Sequence, residues 1–553
     1  MLKLDTLSMR FLLLSAVLVF GSFNLACDQD SSNAEAPSDV VSGTDSAPPA
    51  LQVTPVVLTP GVSLGPVQVG MTVKQLKDAV GEPDKKSGFR RTINLSYISL
   101  RLEVVVSTLE DDVVSDDCIV VSVGTLPGAI VEGDLSLGDP RAVLDTKYGE
   151  PTLETGPIIY YSEAGLGVEL DDDGNLKRVS VWSPFSPQVD PPEMQAPIGL
   201  PTNVDPSNTP TGEMPTFEFD GEVYDVVDAH LHTGQIHTQI PEGMAFLVSQ
   251  IPALARLYFP GTTPQVLSPY DPYQGIQEHT RTAGVGHAVI LATYTHHTIG
   301  YASNRELEEK LTDPRNVSSD GRPWAWGMAS INYEGFEDAD LASSRLEALS
   351  GYFEQYPELF IGIKLAHAHQ AVSFEDPIYL GVYDVAAKYQ VPVLLHTGFS
   401  PFPNTKEEPE FYDPLSLEST IEAYDGDHGL GRVDFVLSHI GQGDARAIEH
   451  SLQLAETYDN VWLELSAINR PLLIDENGQP SEDKPTMHNY VISEIKKRGL
   501  IDRLIFATDG PQYFGKVHTY LNLMATTMKK AEYTPAEMRA VFSENFYRCF
   551  GIK

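Results

Sequence analysis

The sequence predicts an α/β protein: a (β/α)8 barrel at the C-terminus, preceded by a small α+β tandem-repeat domain. Three observations predict it. Eight short apolar runs alternate with helix-compatible segments after Phe217. Histidines and an aspartate cluster at the ends of these runs. Upstream, one Gly-to-Gly-Glu-Pro pattern occurs twice in register.

The chain has 553 residues, 42% of them hydrophobic, enough for a large packed core and several domains. Lys and Arg number 37 against 77 Asp and Glu, a net charge of −40. Such a chain repels nucleic acid and anionic lipid headgroups, so neither is an expected partner. Three cysteines, Cys27, Cys118 and Cys549, exclude a disulfide framework, a Cys-based zinc site and an iron–sulfur protein.

Residues 1–26 read as a signal peptide. Lys3 and Arg10 precede an apolar run, Phe11 to Phe20, too short to span a bilayer. Leu25-Ala26-Cys27 resembles a bacterial lipobox, with Asn24 where Leu is usual. The resemblance implies lipidation at Cys27, an exported envelope lipoprotein, and a membrane reached through the lipid alone. Residues 27–59 are acidic and rich in Ser, Ala and Pro, a flexible tether.

Residues 60–183 hold the repeat. Gly70–Pro83 and Gly138–Pro151 place their second glycine at the same offset and end in Gly-Glu-Pro. Thr72 can cap a helix with Val73, Leu76 and Val80 on one face, and Gly81 and Pro83 stop it. Strand-like stretches follow each helix, one with an Asp-Gly turn before Leu176. The pattern resembles envelope lipoprotein modules of the barrel-assembly accessory type and the lactamase-inhibitor-like fold. It implies a structural or docking module for an envelope protein. From Pro184 to Pro215 nine prolines mark a linker, residues 184–216.

Residues 217–553 form the barrel. The expected strands are Asp225–Ala229, His287–Tyr294, Trp324–Ile331, Phe360–Leu365, Val391–Leu395, Val433–Ser438, Val461–Leu465 and Leu504–Thr508. An open doubly wound sheet is the alternative, but no Gly-rich nucleotide fingerprint supports it. Strand period two sends His230 and His232 the same way. His396, His439 and Asp509 follow strands five, six and eight. Neutral imidazoles with a carboxylate suit zinc, manganese or iron, and active sites sit at this end of such barrels.

The motifs D-A-H-L-H at 228–232, L-H-T-G at 395–398, S-H-I-G at 438–441 and T-D-G-P at 508–511 resemble those of the amidohydrolase superfamily, its amidohydrolase 2 group. A terminal segment with Asn545 also fits. The resemblance implies a divalent metal, zinc first and manganese or iron next, held by His230, His232, His396 and Asp509. Asp509 would also shuttle the proton of a metal-activated water. His439 would polarise a substrate carbonyl or help hold a second metal. Lys364 is either the carboxylated bridge of a binuclear site or a lysine that is salt-bridged or lies on the barrel rim. His367, His369 and the pair His296-His297 read as rim or substrate contacts, the last equally as a solvated loop. The apolar stretch 244–260 is either a lid or a helix packed on the barrel.

The expected activity is a metal-dependent hydrolase of the cell envelope acting on an amide, ester or lactone in a small molecule. Decarboxylation of an aromatic or unsaturated acid uses the same ligands and is the alternative. A non-catalytic binding lipoprotein is the reading from outside the enzymes.

Overall fold

The computed structural model describes residues 54–89, 92–107, 114–133, 135–151, 153–155, 158–161, 164–182, 194–201, 213–233, 276–400, 402, 404–510 and 516–552. All lie in one compact unit, Val53–Lys553. The expected signal peptide, Cys27, the stretch at 244–260 and most of the tether and linker lie outside the described residues. Among the described residues, no helix is long and apolar enough to cross a membrane.

The two repeats share one antiparallel sheet of eight strands. Each repeat supplies four: 85–89, 92–97, 102–107 and 119–125 from the first, and 153–155, 158–161, 166–170 and 176–182 from the second. The last strands of the two repeats pair at the centre, Val181 opposite Val123. The strands that lead into the two repeats, Val56–Thr59 and Val131–Gly133, pair with each other in parallel. The repeat helices are Val73–Val80 and Arg141–Tyr148, buried through Leu76 and Leu144. Thr72 and Gln75 form a full capping box on the first. The second starts at Pro140, which fixes the entry angle without a side-chain cap.

The barrel is closed. Its eight strands are Val227–His232, His287–Leu291, Ala325–Ala329, Phe360–Leu365, Val393–Gly398, Phe435–Gln442, Val461–Glu464 and Leu504–Ile505, all parallel and in sequence order. The first then meets the segment after the last: Ala229 N donates to Phe506 O at 3.2 Å and His232 N to Gly510 O at 2.8 Å. Strand one runs on to His232, so its histidines lie within the ladder. Strand eight stops early as a paired strand, ahead of Asp509 with φ 55°.

Inside the barrel, Val289, Leu291, Trp326, Leu394, Val436 and Trp462 pack together with Phe546, Cys549 and Phe550 of the terminal helix. That helix fills one end of the barrel. Asn545 ties it down by donating to Ile501 O at 2.8 Å and Leu504 O at 2.7 Å. Cys118 and Cys549 are both buried.

Part of the proline-rich stretch is fastened to the barrel. Ile198 N and Gly199 N donate to the buried Glu308 carboxylate at 2.8 and 3.1 Å. Tyr356 donates to the same carboxylate at 2.6 Å, and Tyr352 donates to Gln195 O at 2.9 Å. Composition reads as linker here because the attachment uses backbone N–H groups, which leave no side-chain signature.

Candidate metal centre

Barrel parity carries polar groups inward above the apolar core. Leu394 is followed two residues on by His396, Val436 by Ser438, Trp462 by Glu464, and Ala507 by Asp509. Two motif glycines have a steric cause. A Cβ on Gly398 would lie 2.3 Å from Gln442 N, and one on Gly441 would lie 2.2 Å from Ala447 C. Thr397 and Ser438 lace strands five and six: Thr397 donates to Ser438 O, and Ser438 to Leu395 O, each at 2.7 Å. His439, Ile440 and Gly441 all have left-handed φ, at 66°, 48° and 69°. Such backbone costs about 1–3 kcal/mol per non-glycine residue and persists where packing holds it.

His230, His439 and Asp509 bring ligand atoms within 4.8 Å of one another. His230 Nε2 lies 3.1 Å from His232 Nε2 and 3.7 Å from Asp509 Oδ1. His232 Nε2 lies 3.2 Å from the same oxygen. The His396 ring lies 4.6 Å from that of His439, centroid to centroid. The expected ligands thus gather at one mouth, with His439 against them.

The surroundings hold each group in place. Glu464 Oε2 lies 3.1 Å from His230 Nδ1. Asp228 accepts from His230 N at 3.2 Å, Thr508 N at 3.0 Å and Thr508 Oγ1 at 2.6 Å. Arg470 donates to Asp509 Oδ2 at 2.8 Å, and Lys516 donates to its backbone carbonyl. Ser466 Oγ lies 2.7 Å from His439 Nδ1. Glu464, Ser466, Arg470 and Lys516 were not singled out by the sequence. A lone Glu in the buried run of strand seven was the available signal.

The electrostatics suit a cation. Burial drives His230, His396 and His439 well below the usual imidazole range, so the rings are neutral. Burial also raises Asp509, but Lys516, His232, Arg470 and His439 outweigh it and hold the carboxyl well below its usual range. Burial pushes Asp228 up to about 7 against its three donors. With His230 Nδ1 turned to Glu464, its Nε2 faces another imidazole nitrogen and a carboxylate. Among the described residues, His396 Nε2 is buried with no hydrogen-bond partner. Acceptors converging in this way fit a divalent ion.

The other expected positions separate. Lys364 is buried, with Nζ 3.4 Å from Ser438 Oγ; burial lowers its ammonium while Glu464 and Asp509 oppose this. It sits inside the barrel and not on the rim. His369 lies beside His396, rings 4.9 Å apart, with Thr298 Oγ1 2.8 Å from its Nδ1. His367 is fully buried against Phe374, so it cannot be a rim contact. His296 and His297 share one oxygen of Glu334 at 3.0 and 2.7 Å, a separate and more exposed cluster.

A closed parallel barrel with imidazoles and a carboxylate at one mouth defines a metal-dependent enzyme of the (β/α)8 class. Residues 335–552 match the family model described as amidohydrolase. The matched segment contains His396, His439, Glu464 and Asp509; His230 and His232 lie upstream of it. Solved structures similar to this chain include a probable 2-pyrone-4,6-dicarboxylic acid hydrolase from Acinetobacter baumannii with citric acid bound. It is 14% identical, with 59% of this chain and 100% of that one covered and a TM-score of 0.36. A putative 2-pyrone-4,6-dicarboxylic acid hydrolase from Pseudomonas putida is 15% identical, over 59% and 98%, with a TM-score of 0.37. A dihydroxybenzoic acid decarboxylase from Polaromonas sp. JS666, with bound manganese and 2-nitroresorcinol, is 14% identical, over 60% and 97%, with a TM-score of 0.37. No curated protein matches the chain.

Proposed function

We propose that the protein is a hydrolase that uses a divalent metal, zinc in the first place, to open an amide, ester or lactone in a small molecule. The reading rests above all on Asp509. One of its oxygens is engaged by Arg470 and the other faces the imidazoles of His230 and His232. His230, His232, His396 and Asp509 would hold the ion, with His439 adjacent. Bound there, the metal would act as a Lewis acid that lowers the pKa of a water and polarises the bond under attack. Asp509 would accept the proton of the attacking water at Oδ1 and deliver it to the leaving group. Arg470 orients the carboxylate and holds Oδ2 out of the transfer.

The test is turnover of lactone, ester and amide panels in water enriched in oxygen-18, with metal analysis of the full chain. Label in the product acid and loss of turnover on chelation are expected. Release of carbon dioxide from aromatic acids without label uptake would overturn hydrolysis in favour of decarboxylation. The proposal extends to the address: export, lipidation at Cys27 and docking of an envelope protein by residues 60–183. Cys27→Ser is expected to move the protein out of the membrane fraction.

A further inference from the structure

We propose that Glu464 and Ser466, acting as one unit, fix the tautomer of two active-site imidazoles at once. They leave Nε2 as the lone-pair nitrogen of both His230 and His439. The proposal deepens the metal-centre reading above, but its geometry stands without turnover.

The argument follows the protons. Glu464 Oε2 lies 3.1 Å from His230 Nδ1 and accepts the Ser466 hydroxyl at 2.9 Å. Glu464 Oε1 accepts Ser466 N at 2.7 Å. A serine hydroxyl has one hydrogen. Once it is donated to Glu464, the oxygen can only accept from His439 Nδ1, 2.7 Å away. That nitrogen therefore carries the ring proton. A second contact agrees: the Ser466 carbonyl, an acceptor only, lies 3.3 Å from the same Nδ1. A protonated Glu464 would reverse the chain of donors, and the carbonyl selects against that reversal. All three residues and His230 are buried, so water does not redistribute these protons.

The consequence concerns His439. In its neutral form it has no N–H at Nε2, so it takes a proton or a metal there and does not hydrogen-bond to a substrate carbonyl. This differs from the carbonyl-polarising role that the motif alone suggests. Glu464 and Ser466 are positioning residues, and one carboxylate serves both rings.

The test is long-range proton–nitrogen correlation on the full chain, metal-free and labelled with nitrogen-15 histidine, with His439→Gln used only to assign the signal. Wild type is expected to show His439 protonated at Nδ1. In Glu464→Gln the amide donates to Ser466, the hydroxyl turns to His439, and the Nε2–H form gains population. Ser466→Ala leaves only the carbonyl and is expected to give a mixture of tautomers. By chelator competition, Glu464→Gln is expected to weaken metal binding about 10- to 100-fold, while Ser466→Ala retains it. Thermal melts establish that each variant is folded; if Glu464→Gln does not fold, Ser466→Ala and wild type still decide. An Nε2–H ring in wild type, or an unchanged His439 signal in the folded variants, would overturn the proposal. Absence of hydrolase activity would leave these signals in place and count only against the proposed reaction.

Discussion

Arg470 donates to Asp509 Oδ2 at 2.8 Å, while Oδ1 of the same carboxylate lies 3.2 Å from His232 Nε2. The two oxygens face different partners, and the guanidinium holds Oδ2. Replacing Arg470 with Gln removes a charge-assisted hydrogen bond of about 1.5–3 kcal/mol. The turnover number is expected to fall about 10- to 100-fold with metal content unchanged, as measured by steady-state kinetics beside elemental analysis. Wild-type turnover in the variant would remove Arg470 from the mechanism.

Metal removal should loosen the barrel. An ion that binds only the folded state adds about 4 kcal/mol at a thousandfold excess over its dissociation constant. For a barrel of this size that corresponds to a shift in Tm of about 6 °C. Chelation is expected to lower Tm by that order, and zinc or manganese to restore it. His230→Ala should show neither response in a melt followed by circular dichroism.

Asp228 joins the first strand to the last by accepting from Thr508 twice and from His230 N. Asp228→Ala leaves three buried donors without an acceptor, each costing about 1–3 kcal/mol. A stability loss of about 3 kcal/mol or more is expected in urea unfolding. Asp228→Asn keeps a carbonyl oxygen and should lose less. Equal losses would show that the cost comes from charge and not from the unsatisfied donors.

His367 supplies a pH signature. Burial takes its folded pKa down to about 3, from 6.5 in the unfolded chain. Between those values the unfolded state binds a proton that the folded state does not. Its contribution is therefore complete above pH 6.5 and is lost as pH falls, by at most about 1.4 kcal/mol per unit. In His367→Gln the acid side of the stability curve should be flatter by up to that slope. An unchanged slope would mean that the ring is protonated in the folded state.

The eight barrel strands were legible because each is buried on both faces and reads as a short apolar run. The errors sit at their ends. Strand one extends to His232, where polar residues hide a continuing ladder. Strand eight is cut short after Ile505, ahead of the left-handed turn at Asp509, which no periodicity announces. The histidines stood out because four of them follow strands in a regular way. Glu464 and Ser466 did not, since Leu463-Glu464-Leu465-Ser466 resembles any strand leaving the core. Their meaning lies in which rings they touch, and those rings belong to strands one and six. The hold of Glu308 on Ile198 and Gly199 was equally hidden, being made to backbone.

The closure between the first and last strands also sets an order of events. Asp228 and Thr508 are 280 positions apart, and His230 and Asp509 flank the same seam. A ribosome that has released the first seven strands has made most of the barrel, but no complete set of ligands. On the proposed ligand set, an ion could be captured only after nearly the whole chain has been made. The metal acquired would then be the one available where the chain finishes folding, not necessarily the one bound most tightly in a test tube.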